Sequence, residues 1–157
     1  FNTEDFMKKI TKIVSLALVL VMALTMLASC GSKYSAIEKA FIDAGYENNT
    51  TFTGVMNTIK EELAKDEYAV ELHMLTKKSN GLTSAIVIEF KSTKELVEFY
   101  ESSATAQGLV KDVSENEDVK KMYNALVNAG YANGNCLVLP ASILYINEIT
   151  NIVKSVK

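Results

Sequence analysis

An α+β domain built on an antiparallel sheet is predicted by three features of the residues beyond position 34. Apolar residues at helical spacing alternate with two period-two segments that flank a Ser-Asn-Gly turn. Capping sequences of the form Ser-x-x-Glu recur at Ser35, Ser92 and Ser114. The segments run helix, helix, hairpin, helix, then helix, strand, helix, an order that suits a sheet covered by helices on one side. A ferredoxin-like arrangement is compatible with that order.

The first helix is expected to start at the Ser35–Glu38 capping box, to carry Ile37, Ala40, Phe41 and Ala44, and to stop at Gly45. A polar turn over 47–53 leads into a second helix, with Val55, Met56, Ile59 and Leu63 on one side and an end near Asp66. Tyr68, Val70, Leu72 and Met74 then alternate with their neighbours, as do Ile86, Ile88 and Phe90, which predicts hairpin strands at about 67–76 and 82–91. A three-residue loop with Gly81 in the left-handed position pairs Met74 with Ile86 and Leu72 with Ile88, giving one continuous apolar face. A two-residue loop would set Leu72 against Glu89.

Ser92 and Glu95 cap a third helix with Leu96, Phe99 and Tyr100 turned inward, ending near Gly108. Ser114 and Glu117 are expected to cap a fourth, burying Val119, Met122, Tyr123 and Leu126 and stopping at Gly130. A strand at 135–139 is closed by Pro140, and Ile149, Ile152, Val153 and Val156 predict a last helix from about Ser142. The Ala-Gly-Tyr sequences at 44–46 and 129–131 read as one helix-stop solution used twice, with the tyrosine packing back over the last turn.

Ahead of this domain, Lys8, Lys9 and Lys12 follow Met7, and an apolar run from Ile13 to Met26 ends in Leu27-Ala28-Ser29-Cys30. About 14 apolar residues at ~1.5 Å each span roughly 21 Å, short of a ~30 Å hydrocarbon layer. This charged, apolar and small-residue order is that of a secretory signal. Residues 7–32 resemble a bacterial lipoprotein signal peptide with an L-A-S-C lipobox. The resemblance implies cleavage between Ser29 and Cys30, with lipid on Cys30 as the first residue of the mature protein. Two acyl chains would meet the two-signal condition for stable anchoring. The sequence thus divides into an upstream extension at 1–6, a signal peptide at 7–29, a short lipidated tether at 30–34 and a single domain at 35–157. The stretch from Ala85 to Tyr100, a strand ending Ile-Glu-Phe-Lys-Ser and running into a capped helix, is also similar to small uncharacterised lipoproteins of Gram-positive bacteria, which implies no catalytic residues.

The chain has a formal net charge of −3 and no arginine. Bidentate phosphate clamps and guanine readout rest mainly on arginine, so nucleic acid is excluded as an expected partner. Of the two cysteines, Cys136 lies in an apolar strand-like run and is read as a core thiol. His73 is the only histidine, and Gly-x-Ser-x-Gly, His-Glu-x-x-His, Walker-type and Cys-x-x-Cys motifs are all missing. In the expected hairpin, His73, Glu71 and Glu89 share one sheet face, the weak candidates for a divalent cation site; the plainer reading is a solvated face with Lys91 offsetting the two carboxylates. Seven tyrosines without a tryptophan would suit an exposed contact cluster, although most fall at core positions.

The expected function is therefore that of a lipid-anchored extracytoplasmic domain, non-enzymatic and without a cofactor, contacting an envelope protein or a small ligand. The alternatives are a structural or stress-related envelope protein with no dedicated ligand and, third, a metal-dependent or cysteine-based enzyme using His73.

Overall fold

The computed structural model describes residues 33–51 and 53–157. Helix α1 covers 33–43, and β1 is Tyr46–Asn48. They are followed by α2 (Thr53–Lys65), β2 (Glu71–Lys77), β3 (Asn80–Glu89), α3 (Thr93–Ser102), α4 (Ala104–Leu109) and α5 (Val119–Ala129). Next come β4 (Ala132–Asn133), β5 (Cys136–Pro140), a 3₁₀ turn at Ile143–Tyr145 and α6 (Ile146–Ser155). The α+β class holds, with one sheet in the order β1-β2-β3-β5-β4 and every neighbouring pair antiparallel. In this order β3 and β4 run parallel on either side of β5 and are joined through α3, α4 and α5, a split βαβ unit of the kind found in ferredoxin-like folds.

The sheet is covered on both faces, in contrast to the one-sided cover expected. On one face Ile88, Leu137 and Leu139 pack with Leu96, Val97 and Tyr100 of α3 and Met122 and Leu126 of α5. On the other, Leu75, Ala85, Val87 and Val138 pack with Ile37 and Phe41 of α1 and Ile149 and Val153 of α6. The physical reason is legible in β3 and β5, where successive residues are apolar. All of Cys136 to Pro140 are buried, as a strand between two helical layers requires.

The hairpin register is the expected one, with Met74 opposite Ile86, Leu72 opposite Ile88 and Glu71 opposite Glu89. The turn is different: Lys77 pairs with Asn80, so Lys78 and Ser79 make the loop and a bulge at Thr76/Lys77 absorbs the extra residues of β3. Gly81 is not left-handed. Asn80 shapes this corner instead, its Oδ1 accepting from Leu82 N at 3.1 Å and its Nδ2 donating to the Tyr145 hydroxyl at 3.0 Å.

Several helix ends also move. The described part of α1 already includes Lys33 and Tyr34, so Ser35, expected as its cap, lies inside the helix. A contact of Tyr34 with the sheet, described below, supports this added turn, which local capping alone does not foretell. Ser92 caps α3 as expected, accepting from Glu95 N at 3.2 Å. That helix breaks before Gly108, because Ser103 ends it and caps α4, accepting from Ala106 N at 3.1 Å. Helix α5 starts at Asp118 rather than Ser114, with Asp118 Oδ1 accepting from Lys121 N at 3.0 Å. Residues 114–117 are exposed and bring no apolar side chain to a core, so nothing favours winding them into the helix. Val119 is correspondingly more exposed than expected, whereas Met122 and Leu126 are buried.

The two Ala-Gly-Tyr stops do what their sequence suggests. Gly45 and Gly130 are left-handed at φ 90° and 88°, and Tyr46 and Tyr131 are fully buried, one on each side of the sheet. At the second stop, Tyr131 N donates to Leu126 O at 2.9 Å and Gly130 N to Val127 O at 3.0 Å, the paired bonds of a Schellman cap. Each tyrosine then leads into an edge strand, β1 or β4.

Tyr46 also reaches a charge. Its hydroxyl donates to Glu148 Oε1 at 2.8 Å, and Lys77 Nζ donates to the same oxygen at 2.6 Å. The Lys77 bond, outweighing partial burial, holds the Glu148 carboxyl below its ordinary value of 4.5. A carboxyl depressed on folding stabilises the native state above its unfolded value and loses that contribution as pH falls through its folded value. Wild type is therefore expected to lose stability on acidification below pH 4.5, with Glu148→Gln losing less. Urea titrations of both proteins across that range check this.

Candidate functional site

Residues 34, 37 and 41 recur on one stripe of α1. Ile37 and Phe41 are buried against the sheet, which leaves Tyr34 at the start of the stripe to lie on the histidine of β2. Tyr34 and His73 stack with ring centroids 3.5 Å apart and planes at 14°. His73 Nε2 lies 3.1 Å from Glu89 Oε2 on β3. A carboxylate accepts, so Nε2 carries the proton of this bond. The Tyr34 hydroxyl donates to Asn48 Oδ1 at 3.2 Å, and Asn48 Nδ2 in turn donates to Glu38 Oε1 one turn further along α1. Burial, followed by the Glu38 and Glu89 carboxylates, raises the Tyr34 pKa, so the phenol stays protonated and remains a donor.

Beside this stack β1 ends at the Asn48–Leu75 pair, Asn49 N donates once more to Met74 O at 2.8 Å, and β2 continues on to Glu71. A cavity of about 370 Å³ lies there, walled by Tyr34 and Glu38 from α1, Met56 and Asn57 from α2, and Leu72 and His73 from β2. It combines an aromatic ring, an imidazole, a carboxylate and apolar side chains in one concavity, the mixture expected of a small-molecule site. Three larger clefts lack an imidazole, among them one of about 390 Å³ between α1 and the end of α6, lined by Lys39, Asp43 and Val156. One of about 630 Å³ between α3 and α5 is edged by the exposed carboxylates Glu101, Glu115 and Glu117. One of about 460 Å³ lies between Lys111, Asn128 and Lys154.

Of the residues singled out from sequence, His73 and Glu89 are brought together and Glu71 is not. Glu71 faces Glu89 across the hairpin, but its Oε1 accepts from Lys60 Nζ at 2.7 Å. Among the described residues no group of three His, Cys, Asp or Glu side chains is placed to hold a metal ion. Zinc, calcium or magnesium at millimolar concentration is accordingly expected to leave the melting midpoint unchanged; a ligand that bound only the native state at 100 times its Kd would add about 2.7 kcal/mol and raise it. Cys136 is fully buried in the core opposite Glu89, as a core thiol should be. Ser29 and Cys30 lie outside the described residues.

Tyr34, Glu38 and Asn48 were not marked as site residues by sequence reasoning. The helical stripe through Tyr34, Ile37 and Phe41 was the available signal for the first; nothing in the sequence pointed to Asn48. No described helix is long and apolar enough to cross a membrane. Comparisons with protein-family models, curated proteins and solved structures find no match for this chain.

Proposed function

We propose that the chain is an extracytoplasmic lipoprotein, anchored through lipid on Cys30, whose domain binds a small polar ligand in the cavity beside Tyr34 and His73 without transforming it. The observation that carries the binding part is the cavity itself, about 370 Å³ and walled by the Tyr34–His73 stack. The leader carries the anchoring part, through its lysines, its short apolar run and the Leu-Ala-Ser-Cys sequence. Only Gly31 and Ser32 separate Cys30 from the first described helical residue, so at ~3.5 Å per residue the site would lie within roughly 15 Å of the lipid surface.

The test is a chemically mixed panel of small polar molecules added to the isotopically labelled full chain in detergent micelles. Amide shifts concentrated at Tyr34, Asn57, His73 and Met74 support the reading. Shifts confined to the α3–α5 cleft, or none with any molecule of the panel, overturn it.

A protein partner is the second reading, favoured by one end of the sheet. Leu82, Ile143 and Leu144 are 78%, 52% and 82% exposed there, drawn to a common corner by the Asn80–Tyr145 hydrogen bond. A Leu82→Asp, Leu144→Asp double variant that loses a partner captured by wild type would select it.

A further inference from the structure

Resting on that binding reading, we infer that the cavity takes a small organic cation, an ammonium or guanidinium group carried on a short carbon chain. The Tyr34 hydroxyl is spent on Asn48, and one hydrogen of the Asn48 amide on Glu38. One hydrogen of Asn49 Nδ2 is spent on Thr76 Oγ1 at 3.1 Å, and His73 Nε2 pairs with Glu89. What remains is one neutral amide hydrogen each on Asn48 and Asn49, set against the open lone pairs of the Glu38 carboxylate, a charged acceptor on the wall. Asn57 adds an amide that can serve either way.

Charge points in the same direction. Glu38 lines the cavity and Glu89 lies behind His73, while no lysine is among the described lining residues. Lys60 is already taken by Glu71. An anionic ligand would meet a carboxylate with no cation on the wall, whereas an ammonium would gain a charge-assisted bond to Glu38. The rest of the wall suits the carbon chain of such a ligand. Met56, Leu72 and Met74 are apolar and adaptable, and the Tyr34 ring adds an aromatic surface that attracts cations.

Isothermal titration calorimetry on the full chain in detergent tests this with four probes: 1,5-diaminopentane, pentane-1,5-diol, glutarate and N-acetyl-lysine methylamide, the last representing a lysyl side chain of a partner protein. The diamine is expected to bind at least ~10-fold more tightly than the diol or the diacid. Glu38→Gln keeps an acceptor for Asn48 and is expected to weaken the diamine by about 10-fold or more, with the melting midpoint preserved. Binding of the lysine derivative alone would uphold the cation chemistry and place its source on a protein. Diol or diacid binding that equals the diamine, or an affinity untouched by Glu38→Gln, overturns the inference. If that binding also shifts the Tyr34 and His73 amides, the cavity remains a binding site and only the cation assignment falls. If none of the four probes binds, the cation assignment fails and the wider panel above decides the binding reading separately.

Discussion

Gly130→Ala is expected to lower the unfolding free energy by roughly 3 kcal/mol or more, read as a reduced urea midpoint at unchanged slope. Two costs combine. Gly130 holds φ 88°, where any L side chain strains the backbone by about 1–2 kcal/mol. A methyl group there would also sit 2.5 Å from the carbonyl oxygen of Thr150 and 2.8 Å from its Cβ, forcing α5 and α6 apart. Gly45 supplies an internal control: it closes the same Ala-Gly-Tyr motif at φ 90°, but a Cβ there meets nothing within 4 Å. Gly45→Ala should therefore cost only the backbone term, about 1–2 kcal/mol. Equal losses at the two positions would refute the close approach of α6 to the end of α5.

Tyr46→Ala is expected to cost about 3–5 kcal/mol, and thermal unfolding with a concurrent chemical melt is the check. The ring is fully buried between α1, β1 and α6 and meets Phe41 edge-on at a centroid distance of 5.0 Å. Truncation leaves a cavity under α1 and removes the hydroxyl that Glu148 accepts from. Tyr46→Phe keeps the packing and should cost about 1.5–3 kcal/mol, the net worth of one hydrogen bond to a charged acceptor. Because α1 also carries Tyr34 and Glu38, Tyr46→Ala should loosen the cavity beside Tyr34, with ring-current shifts at His73 moving toward their unstacked values.

Local signals carried most of the fold. The helix stops at Gly45 and Gly130, the cap at Ser92 and the register that sets Leu72 against Ile88 all depend on a few adjacent residues, and each lies where its sequence indicates. What failed was what tertiary contact decides. Reading Glu71, His73 and Glu89 as an outer face gave weight to three polar side chains and too little to Leu75, Ala85, Val87 and Val138, which lie on that same face and call for a second helical layer. Position 114 offered a capping box as good as that at 92, yet the residues after it bring nothing to bury, so the helix waits for Asp118. At the hairpin, the glycine drew the turn to Gly81, whereas the bulge at Thr76/Lys77 moved it to Lys78 and Ser79.

The candidate site was half legible. A lone histidine sharing a sheet face with Glu71 of its own strand and Glu89 of the next was visible in the alternation, and His73 does meet Glu89. The partner that changes its meaning, Tyr34, comes from a segment that composition alone assigns to a tether. Asn48 joins the network only because β1 ends beside α1, a juxtaposition with no local signature.

The anchoring claim meets its most direct test in the mass of the amino-terminal peptide of protein purified from native membranes. A peptide beginning at Cys30 and carrying diacylglycerol is the expected result, with Cys30→Ala accumulating as an unlabelled precursor. A peptide retaining residues 7–29, with an unmodified thiol at position 30 and recovered from the aqueous fraction, would contradict it.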